Sequence, residues 1–183
     1  LRYGMSLSLQ QLTANSQQLK AIHQFSLIGN FPFNISSQIV FKMVENRHRI
    51  PELVGMFQKE MAERIIAAPG GKDYGIISVL TQAFYRGEYL FTVGNLNFNP
   101  PPRVQSAVIR LLRNEEELGC DEGLFRKVVK QAFSQRRKMM RNTLKPFFQD
   151  PSILEEDFFR LRPEVLSVSQ FVELTNRIAA ANH

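Results

Sequence analysis

Asn30-Phe31-Pro32-Phe33-Asn34 is the stretch of this chain best supplied for chemistry. It follows a short apolar run, Phe25-Ser26-Leu27-Ile28-Gly29, that reads as a buried strand closed by glycine and then proline. Proline cannot extend a central strand, so the backbone is expected to leave the sheet over residues 30–33. That puts an amide side chain, a proline carbonyl with no partner of its own and an aromatic ring at a strand's carboxyl end. Open α/β sheets bind ligands outside those ends. Such a group suits transfer to the amino group of a planar base. The exocyclic amine of adenine is a weak nucleophile because its lone pair is delocalised into the ring. The Asn30 amide oxygen and the Pro32 carbonyl could hold its hydrogens and turn the lone pair outward. Phe33 could stack on the ring, a contact worth about 1–3 kcal/mol per base. No general base with a tuned pKa is required if the methyl donor is a sulfonium. The same residues also fit an ordinary strand, a proline turn and a core phenylalanine, and a motif this short does not decide between the two.

The elements that must position this group follow from periodicity and breakers. Residues 6–21 are polar and Gln-rich, compatible with a short helix and a loop. Phe25–Ile28 is the expected strand. Ser36 or Ser37 is a good N-cap for a helix to about Arg47 that buries Ile39, Val40, Met43 and Val44. Leu53–Phe57 reads as another buried strand, and a helix runs from Gln58 to about Ala67. A helix over Tyr74–Phe84 and strands at Tyr89–Val93 and Ser106–Leu112 complete an α/β portion, residues 1–113. Asn97 to Val104 separates the last two strands. Its three prolines remove three donors and fix three φ angles, so it cannot be regular structure. It would hold Phe98 on a stiff support, suited either to base stacking or to a plain inter-strand connection.

Residues 114–120, with three consecutive glutamates, form a polar boundary, and the pattern beyond it, 121–183, is helical. Asp121 caps a helix through Ser134, and Arg136 to Phe147 continues or restarts it. Asp150-Pro151 signals another start, and Ser167 with Gln170 a capping box. Positive charge concentrates here. Arg126, Lys127, Lys130, Arg136, Arg137, Lys138, Arg141 and Lys145 face only Asp121 and Glu122 between Cys120 and Phe148. That excess equals the whole chain's formal charge of +6, so the rest balances to zero. On one continuous helix Arg137, Arg141 and Lys145 would share a face opposite Met139, Met140 and Leu144. Such a face suits a phosphate backbone, whereas ordinary solvated faces mix signs.

Bulk composition is that of a soluble globular protein, 44% hydrophobic and 22% charged over 183 residues. The single cysteine, Cys120, excludes an internal disulfide framework and fits a reducing cytoplasm. No stretch approaches a membrane span, and no signal-peptide pattern opens the chain. No G-x-S-x-G or H-E-x-x-H occurs, and His23, His48 and His183 form no metal or triad spacing.

Taken together, five ordered stretches resemble the ribosomal RNA adenine dimethylase family of the KsgA type. They are Asn30 to Ser37, like N-x-P-[YF]-N-I-S-[ST]; Gln58-Lys59-Glu60 through Arg64; Tyr74-Gly75 to Gln82; Phe98 to Val104, like F-x-P-x-P-[KR]-V; and Ala132 to Lys138 with Arg141-Asn142. The resemblance implies the carboxyl-terminal part of a Rossmann-like, S-adenosylmethionine-dependent methyltransferase sheet, followed by a small all-helical RNA-binding domain. It implies dimethylation of the amino groups of two adjacent adenines near the 3′ end of small-subunit ribosomal RNA, in small-subunit biogenesis, by a cytoplasmic monomer. By position, Asn30, Pro32 and Phe33 would be catalytic, with Asn30 also lining the cofactor site and Phe33 and Phe98 sandwiching the base. Arg103, Arg136, Arg137, Lys138, Arg141 and Lys145 would hold RNA.

Two departures accompany the likeness. Phe31 stands where the family usually has a smaller aliphatic residue or tyrosine, which should alter packing beneath the loop more than chemistry. The family's Gly-rich cofactor turn and acidic residue are absent: only Gly4 and Gly29 precede Asn30, and no Asp or Glu does. The chain is therefore expected to be the carboxyl-terminal two-thirds of such an enzyme, inactive alone, with Phe25–Ile28 as an exposed hydrophobic edge. The alternatives are a non-catalytic RNA-binding or ribosome-assembly module, and a large-subunit methylase of the macrolide-resistance type, which the Gln135 to Lys138 segment argues against.

Overall fold

The structure, a computed structural model, describes residues 24–182. Four strands, β1 (Leu27–Asn30), β2 (Glu52–Gln58), β3 (Tyr85–Val93) and β4 (Ser106–Arg113), form one sheet in the order β1-β2-β4-β3. β1 runs parallel to β2, and β4 antiparallel to both β2 and β3. This direction sets the geography of the molecule. Asn30 lies opposite Met56 near the carboxyl end of β2, and Ser106, the first residue of β4, lies opposite Gln58 at that same end.

The register also sorts the two faces. Leu53 opposes Leu111, Gly55 opposes Ile109 and Phe57 opposes Ala107, all buried, whereas Val54, Met56, Val108 and Arg110 alternate onto a half-buried face. The buried face is covered by α1 (Ser36–Glu45), α2 (Lys59–Ile66) and α3 (Ile76–Gln82). Burial of a side chain such as Leu53, with no exposed surface, contributes about 1.5–3 kcal/mol. On the other face Glu52 takes a hydrogen bond from the Arg110 Nε at 2.6 Å.

Beyond β4 the chain is helical: α4 (Glu122–Ala132), α5 (Met140–Thr143), α6 (Asp157–Arg160) and α7 (Val168–Ala181), joined by short 3-10 turns. Asp121 caps α4 by accepting from the Leu124 N–H, and Ser167 and Gln170 form the expected capping box on α7. The core continues from sheet to helices. Tyr74 packs edge-on to Phe133, which stacks on Phe171 at 5.9 Å. Arg47 grips both carboxylate oxygens of Glu122 at 3.2 and 2.6 Å, and its guanidinium covers the Phe84 ring at 4.3 Å.

Several details differ from expectation, among them that β3 begins at Tyr85 rather than Tyr89 and that Ile39 is only half-buried. β1 extends through Asn30 rather than ending at Ile28, because the Phe31 N–H still donates to the Met56 carbonyl before Pro32 ends the ladder. It is the exposed edge that the missing cofactor turn led one to expect, not the buried strand suggested by its apolar run: among the described residues it pairs only with β2, and Ile28 is 81% exposed. Neither Ser36 nor Ser37 caps α1. A 3-10 turn (Phe33–Ile35) leads straight into the helix, and the buried Ser36 hydroxyl donates instead to the Pro32 carbonyl at 2.9 Å. Residues 136–147 do not form a continuous helix. A turn separates α4 from the four-residue α5, and a 3-10 turn, Lys145–Phe147, follows. Pro146 has no N–H for an α-helical ladder, and the Met140 N–H is drawn away to the Leu161 carbonyl.

The Phe31 ring is accommodated by a glycine. It packs against Phe57 with centroids 5.1 Å apart, directly over Gly55. A Cβ at position 55 would fall onto the Phe31 ring and lie 2.8 Å from Phe57 Cε2. Gly55→Ala should therefore destabilise by about 1–3 kcal/mol through overpacking. Adding Phe31→Leu should recover most of that loss, read from urea-denaturation midpoints. Additive losses in the double variant would show that the ring is not what Gly55 accommodates.

Candidate functional site

Asn30, Pro32 and Phe33 come from the exit of β1, and Phe98 from the Pro-rich segment between β3 and β4. These parts are distant in sequence and meet around one open cleft of about 350 Å³. Phe31, Asn99, Pro100, Pro102 and Ser106 complete its lining. The prolines fix the Phe98 arm, and the 3-10 turn after Pro32 sets the direction of Phe33, a residue 38% exposed. Among the described residues that line it, none carries a charge. The cleft is an aromatic and amide environment, suited to a planar neutral group that can both stack and hydrogen-bond.

Asn30 is exposed, and among the described residues no hydrogen bond engages its side-chain amide. The amide is thus available to a ligand. Contrary to the sequence expectation of a partnerless group, the Pro32 carbonyl is already engaged. It accepts from the Ile35 N–H at 3.2 Å and from the Ser36 hydroxyl at 2.9 Å. Both donors belong to the turn that carries Phe33, so the carbonyl stabilises the loop. An incoming amine would have to share it.

Ser106 is the cleft residue that sequence reading missed. It is fully buried, and among the described residues its hydroxyl oxygen has no hydrogen-bond partner. The signal was present in principle. It opens the strand just after the Pro-rich segment, so an antiparallel β4 must begin at the end of the sheet where Asn30 finishes. Strand direction, however, is not legible in an isolated apolar run.

The basic candidates divide into distinct environments. Arg103 is exposed just beyond the Pro-rich arm. Arg136 is a tether: its guanidinium donates to the Gly71 and Lys72 carbonyls and ties the turn after α4 to the loop before α3. Arg141, in α5, lies 4.0 Å from Glu155. Arg137 and Lys138 are exposed in the turn and Lys145 in the following 3-10 turn, none in an ion pair among the described residues. The single helical face expected for Arg137, Arg141 and Lys145 therefore does not exist, because the helix is broken between them. Met140 and Leu144 are buried, as a core-facing pair should be, whereas Met139 is 39% exposed.

A second, larger groove of about 630 Å³ runs along α1 between Phe25, Leu27, Ile39 and Met43. Its lining is chiefly hydrocarbon, rimmed by Gln38, Lys42, Glu45, Asn46 and Arg49, of which Lys42 and Glu45 pair at 2.7 Å. No helix among the described residues is long and apolar enough to cross a membrane.

The family described as ribosomal RNA adenine dimethylase matches residues 4–177. The chain is 56% identical over 172 residues to ribosomal RNA small subunit methyltransferase A of Bacteroides fragilis, covering 93% of this chain and 63% of that protein. It is 58% identical over 159 residues to the protein of the same name from Bacteroides thetaiotaomicron, covering 86% and 60%. The chain thus spans somewhat under two-thirds of the length of these relatives. A dimethyladenosine transferase from Plasmodium falciparum superposes with a TM-score of 0.75 at 24% identity, over 86% of this chain and 67% of that one. The 23S rRNA methyltransferase ErmE does so with 0.63 at 19% identity, over 95% and 80%. At these identities the two structures establish the fold, a Rossmann-like mixed sheet with flanking helices.

Proposed function

The chain belongs to the ribosomal RNA adenine dimethylase family, and from that premise we propose that it carries the base-binding and RNA-holding parts of an S-adenosylmethionine-dependent small-subunit rRNA adenine-N6,N6-dimethyltransferase. The observation that carries the reading is the cleft itself. Two segments nearly seventy residues apart bring an unengaged amide and two accessible aromatic rings to one uncharged opening at a sheet's carboxyl end. That chemistry takes an unstacked base.

The target adenine would lie between Phe33 and Phe98. Its amine would donate to the Asn30 amide oxygen, with the Pro32 carbonyl sharing the second hydrogen alongside the Ile35 and Ser36 donors. Holding both hydrogens on acceptors draws the nitrogen lone pair out of conjugation. S-adenosylmethionine, when bound, supplies an electrophilic methyl group. The described cleft residues fit that cofactor only at Asn30, since no carboxylate among them lines the cleft to take ribose hydroxyls. Two adjacent adenines near the 3′ end of small-subunit RNA are the proposed targets. Arg103, Arg137, Lys138, Arg141 and Lys145 are the proposed phosphate contacts, Arg136 acting chiefly as a tether.

The test is transfer of labelled methyl groups from S-adenosylmethionine to undermethylated small and large ribosomal subunits, with binding followed in parallel. Label on two adjacent small-subunit adenines supports the reading. Label on large-subunit RNA would move it to the macrolide-resistance class, and tight small-subunit binding without transfer would leave only a holding function for this chain. Phe98→Ala should weaken productive binding by about 5- to 150-fold, the range expected for one lost base stack. An unaffected KM would remove Phe98 from the base site.

A further inference from the structure

Resting on the adenine reading of the cleft, we infer that Ser106 reads the ring edge of the inserted base by donating its hydroxyl to one of the ring nitrogens. Four buried side-chain polar atoms among the described residues have no hydrogen-bond partner, those of Tyr74, Thr81, Ser106 and Glu164. Folded proteins seldom leave such groups unmatched, because each has lost its water without gaining a partner. Ser106 is the one of the four that lines the cleft with Asn30, Phe33 and Phe98. It opens β4 opposite Gln58, at the end of the sheet where Asn30 emerges. Ser106 has no exposed surface, so an inserted base must press past its neighbours to reach the hydroxyl, which then gains the partner that the described residues do not give it.

The direction of the hydrogen bond follows from the base. Adenine's only polar hydrogens on the ring system are those of its amine, assigned above to Asn30 and Pro32. Its remaining polar atoms, N1, N3 and N7, are acceptors, so the hydroxyl must donate. Guanine fails in the same seat. Its O6 would meet the Asn30 and Pro32 oxygens acceptor to acceptor, and its N1 carries a hydrogen. Guanine is thus rejected at the amine-holding oxygens; Ser106, whose hydroxyl could also accept from a guanine N1–H, adds a directional contact that the stacking walls do not supply. It positions the ring, separately from the amine-holding group.

The test is binding of the full chain to a short fluorescein-labelled single-stranded RNA containing one adenine. The same RNA is prepared with 1-deaza-, 3-deaza- or 7-deazaadenine, or an abasic site, in its place, and affinity is read by anisotropy. In the native protein one of the three deaza substitutions should weaken binding by about 5- to 10-fold, the scale of one hydrogen bond. In Ser106→Ala that penalty should vanish. Ser106→Cys, which keeps the packing but has only a weak S–H donor, should lose most of it as well. The melting temperature of Ser106→Ala should hold or rise, because an orphaned hydroxyl has been removed; a structural serine would melt lower. The inference is overturned if no deaza substitution matters in the native protein, or if the penalty persists in Ser106→Ala. A clear drop in melting temperature would also overturn it. Failure of the underlying reading looks different: the abasic RNA would bind as tightly as the parent.

Discussion

Asn30→Ala, in a preparation of the protein that transfers methyl groups, is expected to lower the transfer rate by about 10²–10³-fold, the usual cost of removing one preorganised polar partner of the reacting centre. Subunit binding should stay within about twofold and stability within about 0.5 kcal/mol, since Asn30 is exposed and its amide holds nothing else among the described residues. Asn30→Gln should fail almost as badly. It keeps the amide but moves it by one methylene, and a misplacement of about 1 Å costs on the order of 10²-fold in a positioned reaction. Single-turnover transfer and subunit affinity, measured on the same preparations, separate the effects. Parallel loss of binding and transfer would mean that Asn30 holds the RNA rather than the amine. The neighbouring Pro32 carbonyl offers no comparable side-chain test, which makes Asn30 the sharper probe.

The elements were legible in proportion to how local their causes are. β2, α2, the Asp121 cap and the Ser167–Gln170 box rest on alternation, helical period and side-chain caps within a few residues, and they stand where periodicity placed them. What misled in two places was a competing partner. Ser36 reads as a cap until Pro32, four residues earlier, claims its hydroxyl. Residues 136–147 read as one helix until the Leu161 carbonyl takes the Met140 N–H and Arg136 turns to Gly71 and Lys72. The site shows the same division. Asn30, Pro32, Phe33 and Phe98 were nameable from residue type and stiffness, and the structure brings all four to one cleft. Ser106 was not, because only the antiparallel direction of β4 brings it there. Nor was the service of Phe31, whose ring needs the space above Gly55, a neighbour in the sheet rather than in the chain.

Breaking the basic helix changes what its cations can do, and salt dependence is where the change should show. Residues on one straight helix face would meet phosphates as a row, whereas Arg137 and Lys138 project from a turn and Lys145 from a separate 3-10 turn. Each is then an independent contact, so losses should add. Reversing Arg137 and Lys138 together to Glu is expected to lower the slope of log affinity against log salt by about two, roughly one per phosphate contact. The weakening should be similar for RNAs of different sequence. Arg136→Ala should behave otherwise. Its guanidinium is spent on two backbone carbonyls, so the variant should lose about 1–1.5 kcal/mol of stability while the slope falls by less than one. Titrations of small subunits from low to moderate salt, beside urea denaturation of each variant, distinguish the two roles. An unchanged slope in the Arg137, Lys138 double reversal would place the RNA on another surface of the chain. A full unit lost at Arg136 would make that side chain a phosphate contact, with the tether secondary.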